Sequence, residues 1–306
     1  MLPPRHVSIE EECKRNPELK MSDLQMLKDW MDKQPHMPQV DMYYIALFLH
    51  SNYYRIEPTK KTIENFLTVR THSPEIFTNR DLITCKELRE IASVIGATPL
   101  EQKTKEGYII TFGKFLDPNP DKYFRIKNNF LEGIKYALMA CEVQNIIHGT
   151  SEGQVAVVDA AGLTLSHTTS FNLPAAKKFL FYVQEAAPVR LKALHVLNTM
   201  PIVDTFFNLL KPFMKKELLD ILHFHSNMET VKKYVPIESL PNEYGGTAGP
   251  IKELTARYIK VLEEFRDWFQ YDETHMRINE SLRVGKCENA ENLFGADGCF
   301  KKLELD

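Results

Sequence analysis

The sequence has no apolar segment long enough to cross a membrane. Its best candidate, Tyr43–Leu49, is far below the roughly 18 apolar residues that a membrane-spanning helix needs. The first sixteen residues lack the apolar core of a signal peptide and carry acids that a transit peptide avoids. The cysteines are odd in number and scattered without a C-x-x-C pair: Cys13, Cys85, Cys141, Cys287 and Cys299. We therefore expect a cytoplasmic protein with reduced thiols.

Neither sign of charge is in large excess. The chain has 38 Lys and Arg against 41 Asp and Glu, a formal net charge of −3. Proteins that bind duplex nucleic acid usually have a global cationic excess, so we expect no nucleic-acid partner. Glycine (13) and proline (17) are too sparse for a fibrous or low-complexity sequence. With 306 residues, 43% of them hydrophobic, the chain can enclose a sizeable cavity.

The usual catalytic signatures are missing as well. The sequence has no Walker loop, no G-x-G-x-x-G, no G-x-S-x-G and no H-E-x-x-H. Gly245–Gly249 is interpreted as a loop before a helix, and the adjacent Ser166 and His167 point apart. His223 and His225 share one face of a strand, but no third metal ligand is evident. We expect no enzyme, no metal and no cofactor.

The first part of the chain predicts a lobe of helices separated by prolines. Ser22 and Gln25 have the spacing of a capping box at the start of one helix. Apolar periodicity predicts three more helices, over Tyr43–Ser51, Thr59–Arg70 and Arg80–Ile95. After residue 96 the pattern changes, because short β-branched and aromatic runs appear between glycines.

From there strands and helices alternate, which predicts an α/β layer with substantial parallel pairing. The predicted strands are Gly107–Phe112, Gln154–Ala160, Leu191–Leu197 and a segment within Leu218–His225. The predicted helices are Tyr123–Ile147, Leu173–Ala187 and a long one that begins after Pro250. A surface tail is expected from Val284 onward.

One apolar segment stands beside an unusual group of cations. Pro201–Leu210 carries bulky apolar residues at helical spacing and is followed directly by Lys211–Lys216, whose sequence is KPFMKK. Arg190 and Lys192 alternate with apolar residues where a strand begins, so the two kinds of side chain point to opposite faces. These patterns alone leave open whether the apolar residues are ordinary core and the cations a solvated surface.

Four blocks of sequence extend this picture: Asp159–Gly162 with Leu165–His167, Pro188–Asn198, Phe207–Phe213 and Leu240–Gly246. In these blocks the chain resembles the CRAL-TRIO family of cytosolic lipid-binding proteins, over about residues 20 to 280. The resemblance implies a mixed sheet with flanking helices that encloses an apolar pocket, preceded by an all-helical N-terminal lobe. We assign residues 1–96 to this lobe, 97–283 to the lipid-binding domain and 284–306 to a C-terminal tail.

The resemblance also implies which residues face a ligand. A helical gate that swings open at a membrane would span Met200 to about Leu210, with Asn198 at its base. The residues expected to line the pocket are Tyr136, Ala140, Val158, Leu165, Phe179, Tyr182, Val183, Leu191, Leu194, Ile202, Phe206 and Leu210. Those expected to meet a membrane or a phosphoinositide are Arg190, Lys192, Lys211, Lys215 and Lys216. Glu217 and Ile221 stand where the family has further cations.

These features predict a carrier of a small hydrophobic ligand, such as a retinoid, a carotenoid, a tocopherol or another isoprenoid. It would exchange this ligand at anionic or phosphoinositide-containing membranes, as a cytoplasmic protein peripheral to the membrane. Tyr136, Tyr182, Ser166 or Asn198 could anchor a polar group of the ligand. The alternatives are a phospholipid or phosphoinositide exchange protein, or a regulatory interaction module with a structural lipid; an enzyme acting on a lipid comes third.

Overall fold

Five strands form one mixed sheet in the order β1-β2-β3-β4-β5. The computed structural model describes residues 2–117 and 119–285. β1 is antiparallel to β2, and every other neighbouring pair is parallel. The strands are β1 (Ile95–Pro99), β2 (Ile109–Phe115), β3 (Gln154–Asp159), β4 (Leu191–Leu197) and β5 (Leu222–His225). The predicted α/β class with a mixed sheet is confirmed, although β1 is a strand that the sequence pattern did not indicate.

Helices precede the sheet and flank it. Within the described residues the α-helices are α1 (Ile9–Arg15), α2 (Met21–Asp32), α3 (Met42–Ser51), α4 (Ile56–His72), α5 (Pro74–Phe77), α6 (Lys86–Val94), α7 (Pro120–Arg125), α8 (Asn129–His148), α9 (Leu173–Phe181), α10 (Pro201–Leu210), α11 (Lys216–Asp220), α12 (Met228–Val231), α13 (Ile251–Glu264) and α14 (Arg266–His275). A π-helical turn, Tyr182–Ala186, continues α9, and short 3₁₀ segments include Leu165–Ser170 and Lys211–Phe213.

The N-terminal lobe is helical as predicted, but two of its helices begin elsewhere. Ser22 lies inside α2, with its hydroxyl 3.4 Å from Asp23 Oδ1, so the predicted capping box is wrong. The helix expected from residue 80 begins only at α6. Asp81 causes the delay, because its carboxylate accepts hydrogen bonds from the backbone N–H groups of Ile83 (2.8 Å) and Thr84 (3.3 Å) and holds a turn.

Later elements show similar local interruptions. The helix predicted over Tyr123–Ile147 is two helices, because Asn128 adopts a left-handed conformation (φ 55°) between α7 and α8. The segment Leu218–His225 begins as the end of α11 and becomes a strand only from Leu222. The long helix after Pro250 is likewise divided into α13 and α14. Of the predicted tail, residues 286–306 lie outside the described part of the chain.

The two faces of the sheet are covered differently. On one, here called the closed face, alternate residues of β2 to β4 pack under the segments that contain Val231, Val235, Leu240 and Leu254. The opposite face carries α8 over its β1–β2 half, where Gly133 packs against Ile95. Strands β3 to β5 carry apolar side chains on this opposite face that stay partly accessible. This half of the sheet positions the candidate site.

A buried ion cluster joins the helical lobe to the rest of the molecule. Arg70 of α4 and Arg80 both bind Glu142 of α8 and Asp272 of α14, with Arg70 Nη1 2.8 Å from Asp272 Oδ2 and Arg80 Nη1 2.8 Å from Glu142 Oε2. All four side chains are buried. One hydrophobic core runs through both parts of the chain, and the boundary expected at residue 96 falls inside β1.

Candidate functional site

Six apolar side chains form an accessible floor on β3 to β5. The strand register places them in two rows on one face of the sheet. The rows are Ala156, Leu194 and Leu222, and Val158, Val196 and Phe224. Val158 is 41% exposed and Phe224 is 43% exposed, and the other four are half-buried. Contiguous exposed apolar surface in the middle of a sheet is typical of a binding site rather than a core.

Helix α10 lies against this floor through aromatic contacts. The ring of Phe207 meets that of Phe224 edge-on, with centroids 5.2 Å apart. Phe206 meets Phe171 in the same way at 5.8 Å, and Phe171 in turn meets Phe130 of α8 at 5.1 Å. Val203 is the one buried residue of α10, although most of the helix is apolar. The helix is therefore held by a few ring contacts and not by a packed core.

The base of α10 is fixed by Asp159 at the end of β3. Its Oδ1 accepts hydrogen bonds from Asn198 Nδ2 (2.8 Å) and from the backbone N–H of Ala161 (2.9 Å). Its Oδ2 accepts the hydroxyl of Tyr244 and lies 3.6 Å from Lys114 Nζ. Asn198 itself is left-handed (φ 52°), which turns the chain from β4 into α10. Burial and the Asp159 carboxylate raise the pKa of Tyr244.

The far end of α10 is fixed by Gln184 in the π-helical turn. Gln184 Nε2 donates to the carbonyl oxygen of Phe213 (3.1 Å), and its Oε1 accepts the backbone N–H of Lys215 (2.6 Å). The Lys215 ammonium also pairs with Glu185. Side-chain hydrogen bonds thus hold the segments that enter and leave α10, and the helix between them is lightly packed, which is the arrangement a moving lid needs.

A pair of polar residues lies at the β2 end of the row that contains Ala156, Leu194 and Leu222. Thr111 of β2 is aligned with Ala156, and its hydroxyl donates to Gln144 Oε1 of α8. Gln144 is 1% exposed, and its Nε2 group has no hydrogen-bond partner among the described residues. A buried amide group without a partner costs free energy unless a ligand or water satisfies it. Sequence reasoning missed this pair, because neither residue belongs to a recognisable motif.

Five of the twelve predicted pocket residues lie on the floor or on α10 with partial exposure: Val158, Leu194, Ile202, Phe206 and Leu210. Phe179 and Val183 are half-buried and pack against the hydrophobic core that includes the helical lobe. Leu191 is half-buried at the start of β4, and Leu165 is 70% exposed in a 3₁₀ segment. The prediction missed four floor residues, whose strand register was unknown, and two residues that contact them or α10: Ala156, Val196, Leu222 and Phe224, then Phe207 and Phe171. Alternation along β3 and β4 would have identified the first two.

Three predicted pocket residues lie instead in the packed helical core. Tyr136 and Ala140 are completely buried on α8, and the Ala140 carbonyl oxygen accepts the hydroxyl of Tyr258 (2.7 Å). Tyr182 donates its hydroxyl to Glu142 Oε1 (2.8 Å), and burial beside that carboxylate raises its pKa well above the usual value. These placements correct the sequence assignment. For Tyr136 and Ala140, the reason is that α8 is buried on nearly every side, which the apolar pattern of its sequence does not reveal.

Of the four polar anchors proposed from sequence, two are engaged elsewhere, and Tyr136 lies fully buried on α8 with no hydrogen-bond partner for its hydroxyl among the described residues. Tyr182 is bound to Glu142, and Asn198 is bound to Asp159. Ser166 lies exposed, with its hydroxyl 2.7 Å from that of Thr164. Thr111, whose hydroxyl donates to Gln144, is the polar residue that the strand register places beside the floor.

Arg190 is not the free cation that its place in the sequence suggested. It is buried, its Nε and Nη2 donate to the carbonyl oxygen of His50 (2.9 and 2.7 Å), and its Nη1 lies 3.0 Å from Glu152 Oε2. Its guanidinium also lies 4.2 Å above the ring of Tyr53. Lys192 donates to the Tyr53 hydroxyl (3.0 Å). Burial, with Arg190 and Lys192 nearby, lowers the pKa of His50 to about 3.

The lysines that follow α10 are exposed. Lys211 lies 5.7 Å from the centre of the Phe207 ring. Lys215 pairs with Glu185, and Lys216 Nζ is 2.5 Å from Asp220 Oδ2. Lys177 of α9 adds a fourth cation, 4.4 Å from the ring centre of Phe213. This group of lysines surrounds the end of α10.

Other features of the described chain lie away from this floor. A cavity of about 520 Å³ is lined by polar residues that include Arg80 and Glu132, and one of about 430 Å³ lies beside Thr255 and Lys252. None of the predicted pocket residues lines either of them. No described helix is long and apolar enough to span a bilayer. Within residues 2–117 and 119–285, no group of three or more His, Cys, Asp or Glu side chains is arranged so that it could hold a metal ion.

Two segments of the chain match known families. Residues 16–87 match the family described as Pinta-like, UBA domain, and residues 95–246 match the CRAL/TRIO domain family. The first match covers most of the helical lobe, and the second begins at β1 and includes all five strands.

The chain is also similar to named proteins over most of its length. The alpha-tocopherol transfer protein-like protein of Homo sapiens is 26% identical over 258 residues, which are 83% of this chain and 73% of that protein. Clavesin-1 of Rattus norvegicus is 20% identical over 286 residues, 92% of this chain and 78% of that protein. The crystal structure of Sfh5 superimposes with a TM-score of 0.52 at 11% identity, over 82% of this chain and 96% of that one. This last likeness concerns the fold alone.

Proposed function

The chain belongs to the CRAL-TRIO family of lipid-binding and transfer proteins, and from this premise we propose that it carries a small hydrophobic ligand between membranes. The observation that carries the proposal is the accessible apolar floor of β3 to β5 beneath a lightly packed α10. The ligand would lie on the floor, and α10 would act as the gate. Below, α10 is called the gate helix.

The energetics of such a site favour a carrier. Burying about 500 Å² of ligand surface is worth on the order of 12 kcal/mol before ordering costs, which is enough for submicromolar binding. Release into water would then be slow. Delivery therefore requires that the gate helix move where lipid, and not water, receives its apolar side chains.

The chemistry of the floor favours an isoprenoid-like ligand with one polar end. The two rows of floor residues are apolar throughout, the ring of Phe207 contacts Phe224 of the floor, and Phe206 on the same helix contacts Phe171. Thr111 and Gln144 offer the polar group at one end, where an oxygen of the ligand would accept a hydrogen bond from Gln144 Nε2. A retinoid, a carotenoid, a tocopherol or another isoprenoid alcohol has this form. A relative named for alpha-tocopherol transfer supports the same class.

The surroundings of the gate helix favour exchange at an anionic membrane. Lys211, Lys215 and Lys216 follow it directly, and a cation close to an anionic bilayer contributes about 1 kcal/mol. Phe206, Phe207 and Leu209 provide apolar side chains to insert. Such a protein would work in the cytoplasm, peripheral to membranes.

Two other functions remain as alternatives. A phosphoinositide exchange protein would need free cations, and the engagement of Arg190 by His50 and Glu152 disfavours that cleft as a headgroup site. A regulatory interaction module would use the helical lobe that matches the UBA family. Catalysis on a lipid would require turnover of the bound molecule.

The decisive experiment is extraction of the protein from its native source, followed by mass spectrometry and an absorption spectrum. A stoichiometric isoprenoid or polyene would support the carrier function and identify the ligand. A phospholipid would favour the exchange alternative. Absence of any lipid, together with no uptake of all-trans-retinol or α-tocopherol from loaded vesicles, would refute the proposal in favour of the interaction module.

The gate assignment has its own test. Phe206→Asp removes the contact with Phe171 and places a charge on the membrane-facing surface, so transfer of a fluorescent retinoid to anionic vesicles should slow at least tenfold. Asp204→Asn, an exposed change on the same helix, is the matched control and should leave the rate unchanged or slightly faster. Equal transfer rates for the wild type and Phe206→Asp would contradict the assignment of α10 as the gate.

A further inference from the structure

Three histidines and a tyrosine are stacked on the closed face of β4 and β5. The ring of His195 is parallel to that of His223, with centroids 5.0 Å apart, and His223 is parallel to Tyr234 at 5.2 Å. His195 is 0% exposed and His225 is also buried. Three imidazoles in one apolar setting are uncommon, and the proposed carrier function does not use them.

Hydrogen bonds fix the tautomers of two of these rings. The Thr230 hydroxyl donates its proton to the carbonyl oxygen of Asn227 (2.9 Å), so its oxygen must accept from His225 Nδ1–H (2.8 Å). The Nε2 of a neutral His225 is then an acceptor, and it receives the Nδ1–H of His195 at 2.8 Å. His195 Nε2 carries no proton, which agrees with its lack of any hydrogen-bond partner among the described residues.

This chain of hydrogen bonds, here called the histidine relay (His195, His225 and Thr230), is connected to the base of the gate helix. The carbonyl oxygen of His225 accepts the backbone N–H of Thr199 (3.3 Å), two residues before α10 begins. β5 is a four-residue edge strand that also receives the chain returning from α10 and α11. Disruption of β5 would therefore loosen the chain at Thr199, just before the gate helix, and also the chain that returns from the gate helix through α11.

We propose that the histidine relay is an acid-sensitive latch that keeps the gate helix in place at neutral pH and releases it when a proton enters the relay. This proposal deepens the carrier function and rests on it only for the role of α10 as a gate. The structure supplies the reason for proton sensitivity, because both hydrogen bonds of the relay depend on neutral rings, and the one ring nitrogen outside them, His195 Nε2, is buried without a partner among the described residues.

Neither ring can accept a proton without loss. A proton on His225 Nε2 would face the Nδ1–H of His195 and break their hydrogen bond. A proton on His195 Nε2 would place a buried charge beside two other histidines. The other titratable groups near the relay are the half-buried His223, Tyr234 and Glu229 of α12. Glu229 pairs with Lys232 at the surface. On the side of β3, the apolar Val157 lies opposite His195.

The direction of the pH effect follows from the same contacts. Burial and the neighbouring histidines lower the pKa of His195 to about 4, and burial with His223 lowers that of His225. A group whose pKa is lowered in the closed form stabilises that form above its ordinary pKa of about 6.5 and loses the contribution as pH falls toward 4. An anionic surface at about −30 to −50 mV concentrates protons roughly three- to sevenfold, which adds to a fall in bulk pH.

The first test measures the tautomers and needs no ligand. A long-range ¹H–¹⁵N correlation spectrum of the full chain at pH 7.5 should show both His195 and His225 protonated at Nδ1 and bare at Nε2. An Nε2–H signal for either ring would overturn the relay. This measurement uses the wild-type protein, so it does not depend on how well any variant folds.

The second test measures opening. Hydrogen exchange at the Thr199 amide, corrected for the intrinsic pH dependence, should rise roughly 30-fold between pH 7.5 and 5.0 in the wild type. His195→Gln should remove most of this response, because glutamine can donate to or accept from His225 without titrating. His223→Phe is the control: it removes a histidine that is not part of the relay but keeps an aromatic ring between His195 and Tyr234, so most of the response should be retained. A pH-independent rate at Thr199 and β5 in the wild type would overturn the latch.

The two proposals fail separately. If Thr199 opens with acid but transfer of all-trans-retinol to phosphatidylcholine vesicles does not accelerate over the same pH range, the carrier function of α10 is contradicted while the relay stands. If transfer accelerates without opening at Thr199, the latch is contradicted and the carrier function stands.

Discussion

At the scale of single residues, the clearest finding is that a cation's position in the sequence does not tell whether it is free. Arg190 follows a pattern typical of a surface cleft, yet its guanidinium is occupied by the last turn of α3 and by Glu152. Lys192, two residues later, is partly exposed; its ammonium donates to the Tyr53 hydroxyl and lies near the rings of Tyr53 and Tyr108. The two residues therefore differ in role, although the sequence treats them alike.

This difference predicts separate effects for the two residues. Arg190→Ala should lower the free energy of unfolding by about 2 to 3 kcal/mol, because it removes two hydrogen bonds from a charged donor to the His50 carbonyl oxygen and the ion pair with Glu152. Lys192→Ala should cost less than about 1 kcal/mol and should act mainly on transfer to anionic vesicles. Urea unfolding measures the first effect. If Arg190→Ala has wild-type stability but slow transfer, Arg190 acts at the membrane surface and its structural role is contradicted.

At the scale of elements, the gate helix depends on two side-chain anchors more than on packing. Asn198 and Asp159 hold one end, and Gln184 holds the other through both atoms of its amide. An element with one buried residue and many exposed apolar atoms is among the least stable parts of a fold. The anchors therefore set how often it opens.

Weakening the Gln184 anchor should speed exchange. Gln184→Leu removes both hydrogen bonds, so transfer of a fluorescent retinoid to vesicles should accelerate severalfold while equilibrium affinity falls less. Gln184→Glu retains the acceptor for Lys215 and loses the donor to Phe213, and it should give an intermediate rate. A slower transfer in Gln184→Leu, with unchanged secondary structure, would contradict the anchor role.

The sequence predicts most of these elements because their periodicity is strong, and the exceptions have local physical causes. β4 has the predicted bounds, and β3 ends one residue earlier than predicted. β1 was missed because its apolar residues continue the periodicity of α6, and β5 was obscured by the apolar end of α11. The capping box at Ser22 failed because many such pairs occur inside helices.

The candidate site was less predictable than the fold. The residues on α10 were identified, because an amphipathic helix repeats its pattern over several turns. Four of the six floor residues were not, since strand register depends on hydrogen bonds between distant segments and has no signature within either strand. Gln144 could not be found from sequence, because its significance lies in a missing partner.

At the scale of the whole molecule, buried histidines predict an early loss of stability in acid. Burial lowers the pKa of His50 to about 3 and that of His195 to about 4, and it also lowers the pKa of His148, His167 and His225. The unfolded chain titrates near 6.5, so it binds more protons than the folded chain below that pH. Stability is fully present above about pH 6.5 and declines as pH falls.

Urea midpoints between pH 7.5 and 5.0 test this expectation. The midpoint should stay level down to about pH 6.5 and then fall toward pH 5.0, before carboxylates such as Glu280, whose pKa is lowered to about 2, begin to contribute below about pH 4.5. His50→Gln should flatten part of the decline, and His223→Phe should leave it close to wild type. A midpoint that stays constant down to pH 5 would show that these histidines are protonated without cost.

The ion cluster of Arg70, Arg80, Glu142 and Asp272 has a consequence for the descent of this architecture. Each arginine binds both acids, and the four come from parts of the chain as far apart as α4 and α14. A recombination that exchanged the N-terminal lobe for an unrelated one would strand two buried carboxylates, at a cost of about 3 to 5 kcal/mol for each broken pair. The lobe and the sheet are therefore expected to be inherited together, as one unit of variation.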